Sequence, residues 1–190
     1  MKEIHNLKMI NFVYILMLVG LIFVLYLYIC QTKTKSMSKS PLFISGEILK
    51  RAKEQGLSIS NMSLQKLLFI ANGAYLAKTG NPLIDEPIEV WQFGPVVKSV
   101  YHEFKNYGST DIKHIPSSNR LGEDKNLDAT AEEALEFVLE VASKLDAIQL
   151  SNWTHLPDSP WSNAKEAGQN IISNEVMQGY FKQFIKKKED

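Results

Sequence analysis

The stretch NMSLQKLLFIANGAYLAKTG, Asn61 to Gly80, decides the fold. Leu64, Leu67, Leu68, Ala71, Ala74 and Tyr75 recur at helical spacing and draw an apolar face along it. Asn61 is placed to cap the start, and Gly80 followed by Asn81-Pro82 ends it. A helix this apolar needs other helices to cover it, so it predicts the core element of an α-rich domain.

The flanking sequence supplies those partners. Upstream, Ile44, Ile48, Leu49 and Ala52 predict a first helix stopped by Gly56. Downstream, Ile88-Glu89-Val90-Trp91-Gln92-Phe93 alternates apolar and polar β-formers, a short strand or extended arm punctuated by Gly94-Pro95. Proline suits a first helical turn, and Val96, Val97, Val100, Tyr101 and Phe104 predict a helix running to Gly108. Ser109 to Asp128 is polar and irregular, with Pro116, Ser117, Ser118, Asn119 and Gly122, and reads as an exposed loop tolerant of insertions. Thr130 and Glu133 form a capping box ahead of Leu135, Val138, Leu139 and Ala142. A short helix over Leu145 to His155 follows before Pro157 and Pro160 interrupt the backbone. Ser173 caps a last helix bearing Val176, Tyr180, Phe181, Phe184 and Ile185. The expected fold class is mainly α, or α+β with a short strand or hairpin, in one compact helical domain.

Ahead of that domain, Met9 to Cys30 carries no charged residue. As a helix it spans about 33 Å, close to the roughly 30 Å hydrocarbon core of a bilayer, and predicts one transmembrane helix over residues 9–30. It exceeds the roughly 7 to 15 apolar residues of a cleaved signal, and no alanine precedes Ala52 to make a small-residue cleavage site. Bulky Leu27-Tyr28-Ile29 before Cys30 are unlike a lipid-modification site. Lys33, Lys35 and Lys39 follow the span, against Lys2 and Lys8 with Glu3 before it, which favours a cytoplasmic C-terminal domain on a single-pass membrane protein. The expected organisation is a membrane anchor and linker over 1–36 and a folded domain over 37–190. The alternative is translation from Met37, since Met37-Ser38-Lys39-Ser40-Pro41 is an ordinary cytosolic start, leaving a cytoplasmic protein.

Composition bounds the function. The chain has 190 residues, with 21 basic and 21 acidic side chains. Lys2, Lys8, Lys33 and Lys35 against Glu3 fall before Met37, so the domain keeps a small acidic excess and offers nothing to attract nucleic acid. With no cysteine after Cys30 it has no disulfide framework. About 150 residues bury enough surface to fold without metal or cross-link. Lys186-Lys187-Lys188 reads as a solvated helix end that complements the dipole.

Chemistry-bearing residues are sparse. Thr154-His155 with Asp158 and Ser159 places a hydroxyl, an imidazole and a carboxylate within six residues, the one grouping that suggests a His155-dependent hydrolase or transferase. Triads are geometric rather than sequential, and a helix end followed by a proline turn uses these types for capping, with Thr154 and Asp158 on backbone amides and His155 on a carbonyl or a neighbouring helix. His102 and His114 lack metal-ligand spacing, so neither a metal nor a cofactor is expected. Lys66, among Leu64, Leu67 and Leu68, is read either as a partly buried partner of Glu89 or Asp85 or as a solvated lysine. Trp91, Phe93, Trp153 and Trp161 are core residues by type, with Trp161 and His155 the candidates for partner contact.

Three blocks carry a resemblance: Leu64-Gln65-Lys66-Leu67-Leu68; Trp91-Gln92-Phe93-Gly94-Pro95-Val96-Val97 with Val100-Tyr101; and Leu150-Ser151-Asn152-Trp153-Thr154-His155 with Ser159-Pro160-Trp161. In this order and spacing the chain resembles the Panacea domain of the SocA-like antitoxins, also known as phage-associated GepA-like proteins, over about Leu42 to Ile185. Lys66, Trp91, Gly94, Pro95, Tyr101, Thr154, His155, Pro160 and Trp161 are its signature residues here and the candidates for partner binding. The resemblance implies an α-rich fold and the antitoxin of a two-gene pair, which neutralises a cognate toxin by direct binding or acts as an adaptor handing it to a cellular protease. Phe69-Ile70 departs from the family's frequent tyrosines. The extension before Met37 departs further, and would tether the domain at the membrane. A membrane-bound scaffold without a toxin is the remaining alternative.

Overall fold

The computed structural model describes residues 38–115 and 126–185. The expected span Met9 to Cys30, the anchor and its boundary at residue 37, and the basic tail Lys186-Lys187-Lys188 lie outside them. Among the described residues no helix is long and apolar enough to cross a membrane.

Among the described residues, seven α-helices and one two-stranded hairpin follow in order: α1 (Pro41–Glu54), α2 (Asn61–Thr79), β1 (Glu89–Trp91), β2 (Gly94–Val96), α3 (Lys98–Phe104), α4 (Ala129–Lys144), α5 (Ala147–Thr154), α6 (Pro160–Glu166) and α7 (Asn174–Ile185). The domain is mainly helical, as the sequence predicts. Helix α2 is its axis: α1, α3, α4, α5, α7 and strand β2 all pack on it. Being surrounded, it is buried all round rather than along one face, and Leu64, Leu67, Leu68, Phe69 and Ala71 are wholly inaccessible. It ends as expected, with Gly80 in the left-handed conformation at φ +77°.

The caps differ from expectation in informative ways. Ser60, not Asn61, caps α2 by accepting from Ser63 N. Asn61 is thereby freed to turn inward, where it is 5% exposed. Asp128, not the Thr130 and Glu133 box, caps α4, its carboxylate accepting from Ala131 N at 2.8 Å. A carboxylate is a strong acceptor at the positive end of the helix dipole, and Glu133 instead pairs across to Lys78. A reciprocal capping box does occur, at α5, between Asp146 and Gln149. Ser173 caps α7 as expected, through Val176 N at 3.3 Å.

Pro95 does not open a helix. It stands in β2 opposite Val90, and α3 begins only at Lys98. A proline is tolerated there because a two-stranded hairpin leaves half its backbone groups outside the ladder. Pro160 does open one, the short α6, in the segment read as a proline interruption. The polar loop after Gly108 is also less free than expected at its start. Ile112 is 7% exposed. Its N–H donates to Ile59 O, and Asp111 Oδ1 accepts from Ile59 N, both at 2.9 Å.

Before α1, the chain enters in extended form alongside residues 83–85. Lys39 pairs in parallel with Ile84, its N–H donating to Leu83 O at 2.8 Å and its carbonyl accepting from Asp85 N at 3.0 Å.

Candidate functional site

Four buried polar side chains on the core helix, Asn61, Gln65, Lys66 and Asn72, organise the segments that follow it. Asn61, Gln65 and Asn72 lie four and then seven residues apart, one stripe of the helix. Gln65 Nε2 donates to Asn61 Oδ1 at 3.1 Å, and its carbonyl oxygen accepts from Val97 N at 2.8 Å. Asn61 Nδ2 donates to Tyr101 O at 3.3 Å. Asn72 Oδ1 accepts from Leu83 N at 2.8 Å and Ile84 N at 3.4 Å. Apart from the Gln65–Asn61 link, each of these bonds satisfies a backbone group of a following segment, which ties the hairpin and its neighbours to the core helix.

Lys66 lies beside this stripe and is 2% exposed. It is neither solvated nor paired with Glu89 or Asp85. Its ammonium donates to Phe93 O at 2.8 Å and to Pro95 O at 3.3 Å, the two carbonyls that flank Gly94 at the turn of the hairpin. Burial without a carboxylate beside it pushes its pKa down to about 8. Glu89 is engaged elsewhere, accepting from Trp91 Nε1 at 2.6 Å.

Gly94 has φ +111°, a conformation side chains rarely adopt. A Cβ there would collide with the end of Lys66 and stand 3.3 Å from the His155 ring. The glycine is thus required twice, by its backbone angle and by the lysine packed against it.

The third wall comes from α5 and α6. Trp161 Nε1 donates to Trp91 O at 3.1 Å, and its ring meets that of His155 at 4.0 Å between centroids. Lys165 Nζ lies 4.5 Å over the same indole, a cation–π contact. Trp91 packs edge-on against Tyr101 at 4.8 Å. Seven of the nine signature residues thus lie in or against one hairpin, while Thr154 and Pro160 shape the turn between α5 and α6: Ser159 Oγ donates to Thr154 O at 2.7 Å, and Pro160 opens α6.

What this brace leaves outside is the tip. Gln92 is exposed, and Phe93 is 72% exposed, not a core residue as its type suggests. Trp161, by contrast, is 4% exposed and engaged within the fold rather than offered to a partner. His155 is half-buried.

The grouping of Thr154, His155, Asp158 and Ser159 folds as a helix end. Thr154 is wholly buried and donates to Ser151 O at 2.8 Å, a carbonyl and not the amide expected. His155 Nδ1 lies 2.5 Å from the same carbonyl, so that nitrogen carries the proton and does not accept one from Thr154. The cap of α6 is Ser159, accepting from Ser162 N at 3.1 Å, while Asp158 takes φ +64°. No group of three metal-ligating side chains occurs among the described residues.

Sequence reasoning missed Gln65 and Asn72 as organisers and Phe93 as the exposed member of its block. The first two had a signal, since amides on one stripe of an otherwise apolar helix must be buried and must find partners. Phe93 had none, because its exposure depends on where the turn falls.

Comparison with known proteins bears on the same residues. The family model described as antitoxin SocA-like, Panacea domain, matches residues 64–162. The antitoxin SocA of Caulobacter vibrioides (strain NA1000 / CB15N) is 33% identical over 124 residues, which cover 62% of this chain. The match spans 66% of that relative's length, just under two thirds. No solved structure matches significantly.

Proposed function

Because the chain belongs to the SocA-like antitoxin, Panacea domain family, we propose that it acts as the antitoxin of a two-gene pair, neutralising a genetically linked toxin by stoichiometric association without catalysis. The observation that carries this reading is the convergence of all three signature blocks on a hairpin whose tip, Gln92-Phe93, is left in water. Two buried side chains, Lys66 and Trp161, spent on holding the backbone around an exposed aromatic make sense for recognition. A rigid aromatic loses little entropy on binding and is the type of residue that dominates interface energetics. The hairpin would form part of an interface of about 1,200 to 2,000 Å², the size of stable complexes.

Two refinements belong to the same proposal. The uncharged stretch Met9 to Cys30 would fix the domain at the membrane, placing neutralisation there without performing it. Delivery of the bound toxin to a cellular protease would use the same complex, with the hairpin occupied by toxin and another surface facing the protease.

The test is co-expression of the neighbouring gene with the full chain and with its Phe93→Ala and His155→Ala variants, following growth and pull-down. We expect growth rescue with a one-to-one complex, weakened about tenfold or more by Phe93→Ala while the thermal transition stays unchanged. Toxin loss that depends on a protease would select the adaptor version. Rescue at strongly substoichiometric levels, abolished by His155→Ala in a folded chain and independent of proteases, would point to an enzyme and sink the reading.

A further inference from the structure

Helices α4 and α7 both pack along α2, yet they make little contact with each other. The floor between them is α2, at small Ala74 and at Lys78, and the result is an open groove of about 720 Å³. Two aromatics from opposite walls, Phe137 of α4 and Phe184 of α7, stand 40% and 44% exposed over it, with buried Phe181 beneath. A bundle built this way has room for one more helix.

Charge on the rim says what kind. Glu133, Glu136 and Glu140 line the α4 wall at helical spacing, one edge of that helix beside Phe137. Lys78 is the cation lining the groove, and it pairs with Glu133. Lys144, one turn beyond, pairs with Glu140. Among the described residues the lining presents three carboxylates and one ammonium; Glu133 and Glu140 are paired, and no ion pair to Glu136 occurs.

We propose that this groove docks an amphipathic α-helix of a partner protein, with an apolar stripe on Phe137, Phe181 and Phe184 and lysine or arginine along the flank facing Glu136. The chain's own segments fit less well. Met9 to Cys30 has no cation to set against the carboxylates, and the residues after Ile185 include no apolar side chain to cover the aromatics. Burying the Glu136 carboxylate under an uncharged helix is costly, whereas a basic flank satisfies it. The groove is separate from the hairpin, so the proposal stands whether or not the hairpin meets a toxin.

The full chain is titrated into two labelled synthetic helical peptides of about 18 residues that share one leucine stripe, flanked by lysines in one and by glutamates in the other, with anisotropy as readout. The lysine peptide should bind at least about tenfold tighter, weaken with added salt, and lose about tenfold or more in affinity with either Glu136→Lys or Phe137→Ser. Both substitutions are at exposed positions, and unchanged circular dichroism confirms that the chains remain folded. Equal binding of the two peptides, or an affinity indifferent to both substitutions, overturns the proposal. So does self-association abolished by Phe137→Ser in a chain that binds neither peptide, since the groove would then be covered by a second copy.

Discussion

Lys66 holds a buried positive charge against two carbonyl oxygens, and this has a measurable signature. The unfolded chain keeps that proton to the ordinary lysine value of 10.5, while the folded chain releases it near 8. Between those values the unfolded state binds more protons, so stability rises with pH across that window, and the cost of burying the charge is felt in full below it. The expected gain from about pH 8 to about pH 10.5 is at most about 3 kcal/mol, and a Lys66→Met chain should lack it. Denaturant unfolding of both chains at several pH values checks this, and parallel pH profiles would contradict it. The neutral amine still donates to Phe93 O and Pro95 O, so the hairpin should keep its place as the charge is lost. Sequence reasoning found Lys66 notable but offered it carboxylates or water. A lysine donating to two carbonyls of a distant turn cannot be read from its neighbours in the chain, because the acceptors are backbone and carry no residue-type signal.

At the scale of elements, the periodic helices were legible and the punctuation less so. The core helix, its glycine stop and the last helix with its Ser173 cap follow directly from apolar spacing. The errors cluster where two residues compete for one role, Ser60 over Asn61 and Asp128 over Thr130, or where one residue suits two, as Pro95 stands in a strand rather than at a helix start. Competition of this kind is settled by tertiary contacts, as when Asn61 is drawn inward by Tyr101 O and Gln65. Helix pairing itself rests on one close approach. A Cβ at Gly73 of α2 would run into the ring of Phe181 on α7. That ring is 3% exposed and packed at 5.5 Å from Phe69, so it has little space to yield. Gly73→Ala should therefore lower stability by about 1 to 2 kcal/mol despite its better helix propensity. Gly179, on the exposed side of α7 with nothing near a Cβ, gives the opposite sign: Gly179→Ala should stabilise by about 0.5 to 1 kcal/mol. Thermal melts of the pair test the assignment, and two shifts of the same sign would refute it. Asp146→Ala, which removes the carboxylate half of the α5 capping box and leaves the backbone N–H of residue 146 on Gln149 Oε1, should cost about 1 kcal/mol in the same assay.

For the whole molecule, one core serves every function proposed. Leu67 and Leu68 are wholly buried on the helix that all neighbours share, so truncating either to alanine should cost about 2 to 5 kcal/mol in denaturant unfolding, with an unchanged midpoint excluding the packing described. Location is a separate matter. If Met9 to Cys30 tethers the chain as proposed, full-length protein should sediment with membranes and be released by detergent rather than by salt. Recovery in the soluble fraction, or a native N-terminus at Met37, would argue for the cytosolic alternative. The pairing of Lys39 with residues 83–85 matters most in that setting. A load directed along the extended residues 38–40 would stretch the bonds to Leu83 O and Asp85 N together instead of peeling them in turn. Behind them Asn72 fastens Leu83 and Ile84 to the core helix. Under such a load the entrance to the domain would act as a shear clamp, with tension borne by the core helix before the hairpin felt it.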